Sequence, residues 1–151
     1  MLPPAPVPRI VIDTNVLLDL WIFEERRTRS LLSALAHRRV LALRSAETDD
    51  ELRDVLGRTQ FSLPADRQAL LLQSWQSIAQ PVSRVFAAPW HCTDPCDQKV
   101  LDLAHTAQAT VLLTKDKALL KVNRRARRDG LLIVPPSTWA ASEASVQDDL
   151  A

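Results

Sequence analysis

Tyrosine is absent from the 151 residues and phenylalanine occurs only three times. So few flat rings leave few platforms for bases, which argues against base-specific reading of single strands by stacking. Cysteine is limited to Cys92 and Cys96. Two thiols cannot make the multi-bridge framework of small secreted domains, and nothing points to an oxidising compartment. His91, Cys92 and Cys96 in H-C-x₃-C offer three local ligands. Structural zinc takes four, and His37 and His105 are remote in sequence, so zinc is not expected. Excess charge of either sign is also missing: the formal net charge is +1, and any electrostatic signal must be local. No apolar run approaches the ~20 residues of a membrane helix. The opening MLPPAPVP, with four prolines in eight residues, has neither a basic nor an apolar segment of the signal-peptide kind. A cytoplasmic protein without membrane association is expected. What is present is an ordinary globular composition, 46% hydrophobic and 25% charged, in a chain long enough for one domain with a substantial core.

After a Pro-rich arm over residues 1–8, expected to be extended, short β-branched runs alternate with longer helical patterns. Strands are predicted at Ile10–Ile12, Val40–Leu43, Val82–Phe86, Thr110–Leu113 and Leu131–Val134. Helices are predicted between them. Glu25–His37 would bury Leu31, Leu32 and Leu35, and Ala46–Gly57 would bury Leu52, Val55 and Leu56. Pro64–Gln80 would bury Leu71, Leu72, Trp75 and Ile78, and Asp97–Gln108 would bury Val100, Leu101, Ala104 and Ala107. Strands separated by helices imply βαβ units: an α/β fold with a mostly parallel sheet of about five strands and helices on both faces. Residues 9–141 form the expected domain, followed by a polar tail over 142–151 that is expected to fray.

Ligands of open α/β sheets bind outside the carboxyl ends of the strands. Acids gather there. Asp13 ends the first strand in RIVIDTNVLLD, Asp94 and Asp97 open the helix after the third, and Asp116 follows the fourth in LLTKD. Glu51 lies in the second turn of the helix after the second strand. Each has a plain structural reading, since Asp is a preferred helix cap and a lone Glu is commonly solvated. Together they are harder to dismiss, because several carboxylates in one crevice repel unless a cation lies between them. A hard divalent ion with oxygen ligands is the natural neutraliser.

The segments IDTNVLL, SAETDDELRDVL, CTDPCDQKVLDLA, VLLTKDKALL and IVPPSTW resemble, in order and over nearly the whole chain, the PIN-domain ribonucleases. They are most similar to the branch that supplies toxin components of toxin–antitoxin systems. The resemblance implies a PIN-like, Rossmann-like fold and hydrolysis of RNA phosphodiester bonds with Mg²⁺ or Mn²⁺, as one ion or two. Asp13, Glu51, Asp97 and Asp116 correspond to the family's acids, with Asp94 in the same turn as Asp97. Asp13 and Asp97 are the expected direct ligands, Glu51 acts through water or as a base, and Asp116 closes the outer side. Thr14 and Asn15 would orient Asp13, and Thr114 is the hydroxyl of the T-x-D element. An antitoxin partner and a homodimer or higher oligomer are implied as well. The chain departs from the family where Cys96 and Gln98 replace acids and where Lys115 replaces a small residue.

Residues 115–129 hold seven Lys or Arg against two Asp. Such a run can be a solvated helix face. Beside an acidic site, Lys115, Lys117, Lys121, Arg124, Arg125, Arg127 and Arg128 are also candidates to hold RNA phosphates. Trp21, Trp75, Trp90 and Trp139 read as core or interface anchors, with Trp21 and Phe23 a candidate contact patch. Two rival readings remain at this level. A haloacid-dehalogenase-type phosphatase needs a second Asp two residues after the first, and Asn15 stands there. A PIN fold without turnover would only bind RNA or a partner.

Overall fold

The computed structural model describes residues 7–22 and 29–139. The first six residues of the Pro-rich arm, Phe23, the predicted helix start at Glu25 and the polar tail lie outside the described residues.

Short apolar runs form the central strands. β1 (Arg9–Ile12), β2 (Leu41–Arg44), β3 (Ala79–Pro81), β4 (Val111–Leu113) and β5 (Leu132–Val134) make one sheet in the order β3-β2-β1-β4-β5. Every pairing is parallel. Alternation along β1 sends Ile10 and Ile12 to one face and Val11 to the other, because successive strand side chains point oppositely. The first face is covered by α1 (Thr14–Trp21), α2 (Arg29–Ala36), α3 (Ala46–Leu56) and α4 (Ala65–Ile78). The second is covered by α5 (Gln98–Thr106), α6 (Lys117–Leu120) and α7 (Asn123–Arg128). With both faces covered, the strands read as nearly continuous apolar runs, as parallel sheets do. Among the described residues no helix is long and apolar enough to cross a membrane.

The chain fills the sheet from β1 outward through β2 to β3, then returns to the other side of β1 with β4 and β5. The direction therefore reverses between β1 and β4, which opens a crevice at their carboxyl ends. The Asp13 amide bonds the Leu113 carbonyl at 2.9 Å, so the two strand ends that carry Asp13 and Thr114 are locked side by side.

Three expectations are corrected. Val82–Phe86 is not a strand: β3 is the short edge run before it, and pairing ends with the Val82 amide on the Arg44 carbonyl at 2.8 Å. Pro81 has no N–H to extend a ladder. Beyond it the chain is held by α5 instead, where the Thr106 hydroxyl accepts from the Phe86 amide at 2.8 Å. Leu32 is exposed, and Ala34 joins Leu31 and Leu35 in the buried stripe of α2. Trp21 is half-buried and packs edge-on against Trp75, with ring centroids 5.7 Å apart, so it is anchored on the core rather than standing free in an exposed patch. Trp75, Trp90 and Trp139 are buried anchors as expected, the Trp90 indole donating to Asp129 at 2.8 Å.

Candidate active site

The Asp13 carboxylate has a structural task at the end of β1. The Oδ1 atom accepts from the Thr14 amide at 2.8 Å and so caps α1. The Oδ2 atom accepts from the Thr114 hydroxyl at 2.8 Å. Asp13 is 5% exposed and Thr114 fully buried, so both oxygens are fixed within a packed interior. Burial pushes the Asp13 carboxyl above its ordinary range; the Thr114 bond opposes that rise and the Glu51 charge adds to it.

Thr114 does double duty at the end of β4. Its Oγ1 also accepts from the Asp116 amide at 3.0 Å. Asp116 in turn caps α6, its Oδ1 taking the Ala118 amide at 2.8 Å. Asp94 caps the 3₁₀ turn Pro95–Asp97 through the Cys96 amide at 3.0 Å and is exposed. For Asp13 and Asp116 the capping reading holds: one oxygen caps while the side chain borders the crevice.

Thr14 and Asn15 behave differently from expectation. The Thr14 hydroxyl reaches Glu51 Oε2 at 2.7 Å, not Asp13, and Asn15 is exposed. Asp13 is oriented by a backbone amide and by Thr114. Glu51 is brought in from α3, whose start is fixed by the Ser45–Thr48 capping box. Its Oε1 lies 3.2 Å from Lys99 Nζ on α5, and each side chain of that pair is 23% exposed.

Asp97 carries the strongest electrostatic signature. Its carboxyl is pushed up to about 7, first by burial, then by the close Asp116 carboxyl, which favours a proton between the two. The charges of Asp116, Asp13 and Asp94 add to the rise. The Oδ2 atom of Asp97 is buried without a hydrogen-bond partner. The nearby Cys92 thiol is raised by burial and by the charges of Asp97, Asp116 and Asp94, which keeps it protonated. The charges of Glu51 and Asp116 act on Asp13, and those of Asp116, Asp13 and Asp94 act on Asp97, so the five acids share one field.

These donors fit a hard divalent cation in chemistry, since they are carboxylate oxygens, crowded, with one buried oxygen unsatisfied. They do not form a ready cage: among the described residues no group of three His, Cys, Asp or Glu is arranged to hold a metal ion. Gln98, a departure from the acids the family carries there, pins the loop. It accepts from the Cys92 amide and donates to the Trp90 carbonyl, both at 2.8 Å, and a carboxylate could not do the second.

Two charged residues escaped the sequence reading. Lys99 opens α5 two residues after Asp97; a cation so close to clustered acids was the available signal. Asp19 is 3% exposed in α1 and pairs with Lys115 at 2.5 Å; its signal was a single acid inside an apolar helix. The remaining basic candidates Lys117, Lys121, Arg124, Arg125, Arg127 and Arg128 lie on α6, α7 and the turn between. Lys117, Lys121, Arg125, Arg127 and Arg128 are exposed, and Arg124 is exposed as well. Arg125 bonds the His91 carbonyl at 3.2 Å, which ties α7 to the loop that leads to Asp94.

The chain matches the PIN domain family over residues 9–118, a span that holds Asp13, Glu51, Asp97 and Asp116 and ends before α7. A comparison with curated proteins gives no match. PIN domains are in general nucleases. On that match, and with the acids gathered at the reversal point of a five-stranded parallel sheet, the chain belongs to the PIN domain family.

Proposed function

We propose that this chain is a divalent-metal-dependent endoribonuclease, and that it acts as the toxin of a type II toxin–antitoxin pair. The observation that carries the nuclease reading is Asp97: raised to about 7, beside Asp116, with a buried oxygen that nothing satisfies. A carboxylate in that condition is poised for a cation. Asp97, Asp13 and Asp116 would hold Mg²⁺ or Mn²⁺, which when bound lowers the pKa of its water and neutralises charge on the phosphoryl oxygens. The chain's own residues do the rest. Thr114 and the Thr14 amide fix the Asp13 rotamer, and the Thr14 hydroxyl fixes Glu51. The exposed cations of α6 and α7 lie after Asp116 in the chain and offer paired contacts to the phosphates flanking the cut.

The toxin assignment is supported by the similarity of IDTNVLL, CTDPCDQKVLDLA and VLLTKDKALL to the toxin branch, and it brings an antitoxin protein and a homo-oligomer as partners. Co-expression with the product of an adjacent small gene tests it: relief of growth arrest supports the pair, and unchanged growth with or without that product removes it. The nuclease reading is tested with labelled RNA in Mg²⁺ or Mn²⁺. Wild type cleaves, while EDTA and Asp13→Asn each abolish cleavage with the circular dichroism spectrum unchanged. RNA bound but uncut in either metal would leave the binding-module reading in its place.

A further inference from the structure

The donors that surround the acids are unevenly shared. Both oxygens of Glu51 are supplied by the protein, Oε2 by the Thr14 hydroxyl at 2.7 Å and Oε1 by the Lys99 ammonium at 3.2 Å. Both oxygens of Asp13 also have donors. At the other end, Asp116 has one oxygen on an amide, and Asp97 Oδ2 is buried with no partner. The Glu51 end therefore holds a fixed positive charge, and the Asp97–Asp116 end is crowded with negative charge.

We propose that Lys99 is a resident cation at the Glu51 end, so that the site takes a single divalent ion, at the Asp97–Asp116 end. The proposal rests on the metal-dependent nuclease reading above. A two-ion centre places its metals roughly 3.5–4 Å apart and uses ligands on both sides. Here a second ion would have to take Glu51 from Lys99, strand a mostly buried ammonium and then sit beside it. Lys99 does part of the work of such an ion without being released. Through Glu51 and Thr14 it keeps the first turn of α1 in register with Asp13. Lys99 is thus a positioning residue, and its charge should set how many ions bind.

Mn²⁺ is the probe, with the full chain, titrated calorimetrically and followed by electron paramagnetic resonance. Wild type is expected to bind one ion per chain with an uncoupled spectrum. Lys99→Met is expected to bind two, with spin coupling between them, and Lys99→Arg to remain at one. Glu51→Gln supplies the check if Lys99→Met does not fold. It should still bind one ion, with a loss of affinity no larger than the about 10–100-fold typical of outer partners. Two ions on wild type, one ion on a folded Lys99→Met, or no binding by Glu51→Gln would each overturn the proposal. Two ions on a wild type that cleaves RNA would overturn the role of Lys99 alone; no Mn²⁺ bound and no cleavage would remove the nuclease reading with it.

Discussion

The Lys115 ammonium lies 2.5 Å from Asp19 Oδ2, joining the turn between Thr114 and Asp116 to α1. The two partners are unequal: the Asp19 side chain is 4% exposed and that of Lys115 46%. Water can stand in for the partner of the lysine but not for that of the aspartate. Lys115→Met should therefore strand a buried carboxylate and cost about 2 kcal/mol, read as a lower urea midpoint at unchanged slope. Asp19→Asn placed on top of it should recover most of that loss. Additive losses from the two changes would show that the pair is not coupled.

Thr114 offers a cleaner dissection of the site. Its hydroxyl donates to Asp13 and accepts from the Asp116 amide, all within a fully buried side chain. Thr114→Val keeps the shape and removes both bonds, for an expected cost of about 1–3 kcal/mol. It should also slow RNA cleavage, since Asp13 loses the donor that favours its ionised form. Thr114→Ser keeps the hydroxyl and should restore both stability and rate. A serine variant as impaired as the valine would place the effect in methyl packing instead.

The basic face can be tested through salt. Arg124, Arg125, Arg127 and Arg128 are exposed on α7, beyond the part of the chain that matches the PIN domain. Neutralising all four should weaken RNA binding and flatten its dependence on salt concentration. The slope should fall by about 0.7 for each single-strand phosphate that is no longer paired with an arginine. An unchanged slope, measured by fluorescence anisotropy over a salt series, would return α7 to the status of a solvated helix. Lys115 should contribute less than these arginines, because its charge is already engaged by Asp19.

The features legible in the sequence were those written locally. An apolar triplet that stops on Asp, as in Ile10–Asp13, announces both a parallel strand and a polar group at its carboxyl end. Period announced α2 to α5, whereas α1 and α6, the short helices that Asp13 and Asp116 cap, were given no bounds. Pairings between distant segments were not legible. Glu51 and Lys99 meet across 48 positions, and nothing near either residue encodes that meeting. The third strand departs from its sequence pattern for a related reason. Val82–Phe86 has strand-like composition, but the sheet edge is used up by Ala79–Pro81, and the later residues bond to α5.

The acids' mutual repulsion yields the last prediction. Asp97 rises from 3.8 to about 7 in the folded chain, through burial and the nearby Asp116, Asp13 and Asp94 charges, and Asp13 is also raised. In the window between those values the folded state binds more protons than the unfolded state. The slope of unfolding free energy with pH is then negative. The contribution of these groups is fully present below the unfolded pKa and is lost as pH rises through the folded one, so metal-free protein should melt progressively lower from about pH 4 to pH 7. Mn²⁺ should oppose this trend, because the ion binds the ionised cluster of the folded state only. Asp97→Asn should remove most of the pH slope without metal and most of the stabilisation by metal. Asp13→Asn should melt at the same temperature as wild type or higher in EDTA, since it also relieves the crowding. Thermal unfolding against pH, with and without Mn²⁺, measures all of this in one series. Equal stabilisation of wild type and Asp97→Asn by the ion at neutral pH would place its binding elsewhere on the protein.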